Sequence, residues 1–216
     1  MRLNALEPYE RALLERSAVS LVTDDGRVVA LDIGRYLAEA DPVDQTVLDR
    51  CVGPVLDVGC GPGRIVTALA EQGIPALGVD IAEAAVALTL RRGAPALSRD
   101  VFDRVPGEGR WPTVLVLDGN VGIGGDVAAL LVRLAALLGP SGALLVEVNS
   151  VVAGTADLLR VRFTKNGTPV GPEFGWSVVS GDVLAEHARS CGLACTDQWS
   201  CNGREFLRLV RNLETR

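Results

Sequence analysis

A chain of 216 residues, 48% hydrophobic and 22% charged, has globular composition and length for one domain, with or without an N-terminal extension, burying roughly 70% of its unfolded surface. Its net charge of -6 excludes a broad phosphate-binding face, because nucleic-acid affinity rests on clustered Lys and Arg, so no nucleic-acid partner is expected. No stretch approaches the roughly 18 apolar residues of a membrane span, and the start MRLNALEPYERALLERSA lacks an apolar signal core, so a cytoplasmic protein without a membrane partner is expected.

In chain order, the spacing predicts a short amphipathic helix near residues 7 to 17. SLVTDDGRVVALDI alternates apolar and polar residues around Asp25-Gly26, the mark of a tight hairpin. Asp41-Pro42 ahead of VDQTVLDRC reads as an N-cap with proline at the first helical position. Residues 1–44 are therefore expected to form a helix-and-hairpin extension, and residues 45–216 the main domain. From Val55 onward strands and helices alternate: VLDVG, PGRIVTALAEQG, PALGVD, IAEAAVALTLRRG, a short strand near 95 to 99, TVLVLD, DVAALLVRLAALLG and GALLVEVN. Strands apolar on both faces, spaced by helices, make a parallel sheet covered on both sides.

The rhythm then breaks. Residues at about 155–180 hold RVRFTKNGTPV, with Asn166-Gly167 as a hairpin signal, and then Phe174-Gly175-Trp176, and read as an insertion. After the helix DVLAEHARSCG, the runs LACTDQWS and REFLRLVRN are joined by Cys201-Asn202-Gly203, too short a link for a parallel crossover. The expected fold is α/β: a doubly wound, mostly parallel seven-stranded sheet ending in an antiparallel strand pair. Arg160, Arg162 and Lys165 read as a solvated hairpin edge. Five cysteines without an export signal are expected to be reduced. His187 with Cys191, Cys195 and Cys201 matches none of the usual paired zinc-ligand spacings, and no metal is expected.

The stretch VLDVGCGPGR, residues 55 to 64, ends an apolar strand in three glycines with an aspartate set among the apolar residues. In doubly wound sheets ligands sit outside the carboxyl ends of the strands, where a glycine turn lets them touch backbone. Gly59, Cys60, Gly61 and Gly63 are thus the candidate turn. A dinucleotide fingerprint fails in both registers, because Arg64 and Val66 stand where glycine is needed. Asp57 would face a pyrophosphate with like charge and suits a cationic ligand better. Asp80, followed by Ile81, ends the next strand, where a carboxylate accepts ribose hydroxyls. A ligand with a ribose, no phosphate and a positive charge is S-adenosylmethionine.

These residues also carry a resemblance. VLDVGCGPGR resembles the first motif of the class I S-adenosylmethionine-dependent methyltransferases, matching D-x-G-x-G-x-G through Asp57, Gly59, Gly61 and Gly63. The likeness runs through GVDIA, SRDVF, VLVLDGN and the terminal hairpin, roughly residues 45 to 212, and DGNVGIGGD is similar to actinobacterial members. The resemblance implies that Asp57 and the glycines hold the methionyl end of the cofactor, Asp80 the ribose, and Asp100 with the Val101 backbone the adenine. It also implies that Asp118, Gly119 and Asn120 line the reaction centre. Asn149, at the end of the adjacent strand, is a further catalytic candidate by its position at the carboxyl edge of the sheet.

Methyl transfer from a sulfonium is an in-line displacement that needs alignment more than acid or base catalysis. LDGN stands at the fourth strand where members that methylate adenine or glutamine amides carry Asp/Asn-Pro-Pro-Tyr/Phe, so a small-molecule acceptor, methylated on oxygen, is expected. Two other readings remain. An NAD-dependent oxidoreductase is disfavoured by Arg64, Asp57 and the lack of Tyr-x-x-x-Lys, and a noncatalytic cofactor-binding partner lacks a specific signal. Arg35 with Tyr36, and Phe174 with Trp176, are the candidates to close over the acceptor, although a core position is favoured for the Phe-Gly-Trp group. A monomer or homodimer is expected.

Overall fold

The computed structural model describes residues 5–148, 156–165 and 167–212. Asn149 and Asn166 lie outside the described residues. The chain opens with α1 (Glu7–Glu15), the hairpin β1 (Val19–Thr23) and β2 (Val28–Leu31), and two short helices, α2 (Ile33–Leu37) and α3 (Pro42–Leu48). The main alternation is β3 (Val55–Val58), α4 (Arg64–Glu71), β4 (Ala76–Asp80), α5 (Glu83–Arg91), β5 (Ala96–Ser98), β6 (Trp111–Val116), α6 (Val127–Leu137) and β7 (Leu138–Val148). Then come β8 (Ala156–Lys165), β9 (Thr168–Val179), α7 (Gly181–Ser190), β10 (Leu193–Cys201) and β11 (Arg204–Arg211).

Seven strands form one sheet in the order β10-β11-β7-β6-β3-β4-β5. Pairing is parallel from β7 to β5 and antiparallel at β7/β11 and β11/β10. This is the expected doubly wound sheet with its antiparallel end. Alternate residues feed two cores, as the pleat requires: Leu56, Val58, Val114 and Val116 pack with Leu130 and Leu134 of α6, whereas Val55 and Leu115 pack with Val47 of α3 and Leu69 of α4. The start of α3 is fixed as the sequence indicates. Asp41 Oδ1 accepts from the Asp44 N–H at 2.8 Å and Asp44 Oδ2 from the Asp41 N–H at 3.0 Å, a reciprocal capping box ahead of Pro42.

The second sheet is less visible in the sequence. β1 and β2 pair with β8 and β9 in the order β2-β1-β8-β9, so the N-terminal hairpin and the 155–180 segment meet in one antiparallel sheet. Its inner face packs against α1 and α5 through Leu13, Leu21, Phe163 and Ala85. Arg160 and Arg162 pair with Glu173 across the β8/β9 ladder, at 3.5 and 3.3 Å, as a hairpin edge should. α2 is not signalled by its five residues; Asp32 caps it by accepting from the Arg35 N–H at 3.0 Å.

Candidate active site

β3 runs into Gly59, Gly61 and Gly63, with φ of 70°, 53° and 84°, a left-handed path that side chains resist. The turn is held from every side. The N–H groups of Gly59 and Cys60 donate to the Val79 carbonyl at 2.8 and 3.2 Å. Gly61 N–H donates to Asp80 Oδ2 at 2.9 Å, Thr89 Oγ1 to the Gly61 carbonyl at 2.9 Å, and Asn120 Nδ2 to the Gly59 carbonyl at 2.8 Å. The concave backbone is therefore held by the protein's own hydrogen bonds. A β-carbon on Gly61 would meet only the Tyr9 hydroxyl, at 3.4 Å.

A cavity of about 560 Å³ opens in front of this turn, within the usual range of small-molecule sites. Asp57, Gly59, Cys60 and Gly61 form its floor. Asp80 and Ile81 continue it at the end of β4, Asp100 and Val101 lie beyond β5, and Asp118 and Asn120 lie beyond β6. Gly63, Gly119 and Arg35 are not in the wall; Thr89 fills the space where a side chain on Gly63 would be, so Gly63 shapes the turn from behind.

The carboxylates in the floor have different surroundings. Asp57 is 3% exposed, and its side chain has no hydrogen-bond partner among the described residues. Burial first, then the charges of Asp118 and Asp80, push its carboxyl from an ordinary 3.8 up to about 8. Asp80 is also raised by burial, against which the N–H groups of Ala82 and Gly61 pull it down. Each of its oxygens already accepts one backbone N–H, at 2.8 and 2.9 Å, and keeps a lone pair for a ligand. The Cys60 thiol is pushed well up by burial, which leaves it a neutral wall group.

Asp118 is built into a buried lattice of three carboxylates and three guanidinium groups. Its backbone is left-handed, φ 57°, and its N–H donates to Glu147 Oε2 at 2.8 Å. Arg64 Nη2 donates to its Oδ2 at 2.6 Å, and Arg35 Nη2 stands 2.7 Å from its Oδ1. Arg204 grips Glu147 with two bonds of 2.7 Å and reaches Asp44 Oδ1 at 2.8 Å. Asp44 Oδ2 takes Arg64 Nη1. Asp118 and Glu147 lie side by side at the ends of adjacent strands, and what faces them is arginine. Sequence reasoning missed Asp44 and Arg204. A legible signal was Arg64, a cation at the first turn of α4, where the helix dipole disfavours positive charge unless a partner holds it.

Opposite the glycine turn, the second sheet and the N-terminal helices roof the cavity. Tyr9, Phe163, Phe174 and Trp176 form a continuous aromatic row with ring centroids 6.5, 5.3 and 6.4 Å apart. The Trp176 indole lies against Gly122, where a β-carbon would collide with it. Ser177 Oγ donates to the Gly125 carbonyl at 2.7 Å, fastening β9 to the 120–125 segment. Phe174 and Trp176 therefore belong both to the apolar cluster under the second sheet and to the cavity wall. Tyr36 also lines the cavity, while His187 sits on α7, outside the wall.

A glycine turn after the first strand of the main sheet, acidic residues at the ends of the next two strand positions, and a cavity in front of them define a nucleoside-binding site of the Rossmann-like kind. The sequence matches the family described as a methyltransferase domain over residues 29–198, and the chain belongs to that family. Its fold is that of the class I S-adenosylmethionine-dependent methyltransferases. A SAM-dependent methyltransferase from Bacteroides fragilis, solved with S-adenosyl-L-homocysteine, is 20% identical and superposes with a TM-score of 0.80 over 98% of this chain and 96% of that one. The 1,6-didemethyltoxoflavin-N1-methyltransferase of Burkholderia thailandensis is 20% identical, with a TM-score of 0.60 over 83% and 80% of the two chains. The magnesium protoporphyrin IX methyltransferase of Synechocystis PCC 6803 is 17% identical, with a TM-score of 0.56 over 78% and 77%. No curated protein matches the sequence. Among the described residues no helix is long and apolar enough to cross a membrane.

Proposed function

We propose that this methyltransferase uses S-adenosylmethionine to methylate a small molecule on oxygen. The observation that carries the reading is Asp57: a carboxyl 3% exposed, without a hydrogen-bond partner among the described residues, at the lip of a glycine turn. Such a group is unfavourable alone and is stabilised by a ligand that brings a positive charge to it. S-adenosylmethionine brings two, an ammonium and a sulfonium, and supplies the methyl group. In this reading Asp57 and the backbone of Gly59 and Gly61 hold the methionyl end. Gly63 sets the turn, and Cys60 and Ile81 form apolar wall. Asp80 takes the ribose hydroxyls with its remaining lone pairs, and Asp100 and Val101 frame the adenine. Asp118 and Asn120 border the place of transfer, and Asn149, outside the described residues, stays a catalytic candidate on its sequence position alone. With Asp118 held by two arginines, its part is to fix the geometry of the wall.

The solved relatives with small heteroaromatic or macrocyclic acceptors in their names support a small-molecule acceptor here. Calorimetric titration tests the cofactor. S-adenosylmethionine is expected to bind and NAD is not, and Asp80→Ala is expected to weaken S-adenosylmethionine by about 1 to 3 kcal/mol, the usual worth of a hydrogen bond to a charged group. Unchanged affinity in that variant removes Asp80 from the ribose site, and preferential binding of NAD overturns the reading.

A further inference from the structure

We infer that the acceptor is a flat aromatic or enolic hydroxyl compound that arrives already ionised, and that the protein supplies no base. The inference rests on the proposed function and names the substrate class of the same cavity. Two observations lead to it.

The first is shape and polarity. The roof is the aromatic row Phe163, Phe174 and Trp176, extended by the apolar residues Leu21 and Leu31. Rings of this kind bind a planar apolar partner by stacking and edge contact. Sugars and flexible polar acceptors would leave their hydroxyls unpaired against it. The polar atom that the roof offers beside Asp118 is the Tyr36 hydroxyl, which has no hydrogen-bond partner among the described residues and lies in the wall.

The second is the state of every ionisable group that faces the cavity. Asp57 and Asp80 are committed to the cofactor. Asp118 is enclosed by Arg64 and Arg35. Asp126 caps α6 by accepting from the Ala129 N–H at 2.9 Å, and Asp100 accepts from the Phe102 N–H at 3.0 Å. Burial raises the phenols of Tyr9 and Tyr36 well beyond the neutral range, so both are hydrogen-bond donors. Arg99 brings a guanidinium, the Cys60 thiol is pushed up by burial, and His187 on α7 is not in the wall. Among the described residues no histidine or lysine lines the cavity, and each carboxylate that does is engaged by a backbone N–H, an arginine or the cofactor, so no imidazole or amine stands ready to take a proton from an ordinary alcohol. An acidic phenol or enol needs none.

The chemistry then balances without a proton. The oxygen anion forms the new C–O bond, the C–S bond breaks with its electron pair remaining on sulfur, and anion and sulfonium both become neutral. An apolar cavity strengthens the attraction between the two charges that meet in it, and their loss along the reaction makes such surroundings favourable to the transition state. A neutral amine would instead end as a cation facing an apolar roof.

Two hydroxycoumarins of different acidity, 7-hydroxycoumarin and its 6,8-difluoro derivative, serve as probes, with cyclohexanol as the non-acidic control. Binding is read by quenching of tryptophan fluorescence in the presence of S-adenosylhomocysteine, and methylation by product formation across pH. The expected results are saturable quenching, methylation of both coumarins and none of cyclohexanol. With S-adenosylmethionine saturating at every pH, so that the titration of Asp57 does not enter, the rate below the phenol's own pKa should climb about tenfold per pH unit, with a midpoint that moves to lower pH in the fluorinated probe. Trp176→Ala should weaken coumarin binding at least fivefold with unchanged cofactor affinity; Phe174→Leu, a milder change in the same row, gives the same readout if the first variant does not fold. A midpoint that stays fixed while the phenol changes reveals a base in the protein and overturns the inference. So does methylation of cyclohexanol, and so does failure to bind or methylate either coumarin while S-adenosylmethionine binds normally. Failure to bind S-adenosylmethionine at all would instead remove the proposed function beneath it.

Discussion

The two walls of the cavity are made in opposite ways. The floor comes from one short stretch, residues 55 to 64, stitched to its neighbours β4 and the 118–120 turn by backbone hydrogen bonds and left-handed glycines. The roof and the charged lattice come from segments far apart in the chain: Arg35 meets Asp118, Arg204 meets Asp44 across 160 positions, and β1 pairs with β8. A floor of this kind is set by local conformation and tolerates little change in it. The roof is set by side-chain packing between segments far apart in the chain.

The lattice is the place where this contrast can be broken most severely. Asp44 is fully buried, accepts from both Arg64 and Arg204 and closes the capping box of α3. Asp44→Ala leaves two buried guanidinium groups short of a partner and removes a cap. Loss of one partner from a buried ion pair costs about 3 to 5 kcal/mol, so the melting temperature should fall by at least several degrees. A melting curve within two degrees of wild type would show that the lattice is dispensable.

Gly61→Val strikes the floor instead. A branched side chain at φ 53° is strained wherever it points, and here it points into the cavity beside the Tyr9 hydroxyl. Cofactor affinity is expected to drop at least a hundredfold, measured by calorimetry, while circular dichroism still reports a folded α/β protein. Retained affinity would move the site away from the glycine turn.

Asp57 makes the floor sensitive to pH. Its folded carboxyl titrates at about 8 against an ordinary 3.8, so between those values the folded apoprotein holds a proton that the unfolded chain has lost. The stability of the apoprotein therefore falls as pH rises through that window. A cationic ligand needs the ionised form. Affinity for S-adenosylmethionine should rise about tenfold per pH unit from pH 5.5 towards 7.5, and this slope should flatten in Asp57→Asn. A flat profile in the wild type would mean that Asp57 is ionised throughout and is not the group that receives the cation.

How much of this could be read in advance follows the same division. The glycine turn, Asp57, Asp80 and the order of the main strands are local patterns, and each is legible in VLDVGCGPGR, GVDIA and the alternation that follows. The antiparallel end was legible because Cys201-Asn202-Gly203 is too short for anything else. That β1 and β8 would share a sheet was not, because nothing in SLVTDD or LLRVRF specifies a distant partner strand. α2 was missed because five residues carry no period, and with it the placement of Arg35 and Tyr36. Asp44 read as part of a helix start, which it is; that the same carboxylate also anchors Arg64 and Arg204 is a property of the assembled core.

Tyr9 lies where floor and roof touch, and it sharpens the comparison with the smallest change. It comes from α1, stacks on Phe163 at 6.5 Å, and brings its hydroxyl to the open side of Gly61. Burial raises its pKa first, followed by the charge of Asp80, so it remains a donor at all ordinary pH. Its oxygen has no hydrogen-bond partner among the described residues, and a buried phenol in that position gains when a ligand supplies an acceptor. Tyr9→Phe keeps the stacking and removes only the donor. It should leave the melting temperature of the apoprotein unchanged while weakening S-adenosylmethionine by about 0.5 to 1.5 kcal/mol, the net worth of one hydrogen bond. If affinity holds and stability falls, the hydroxyl belongs to the packing of the roof; if affinity alone falls, the N-terminal helix is part of the cofactor site, and a segment outside the main sheet helps to decide what the floor can hold.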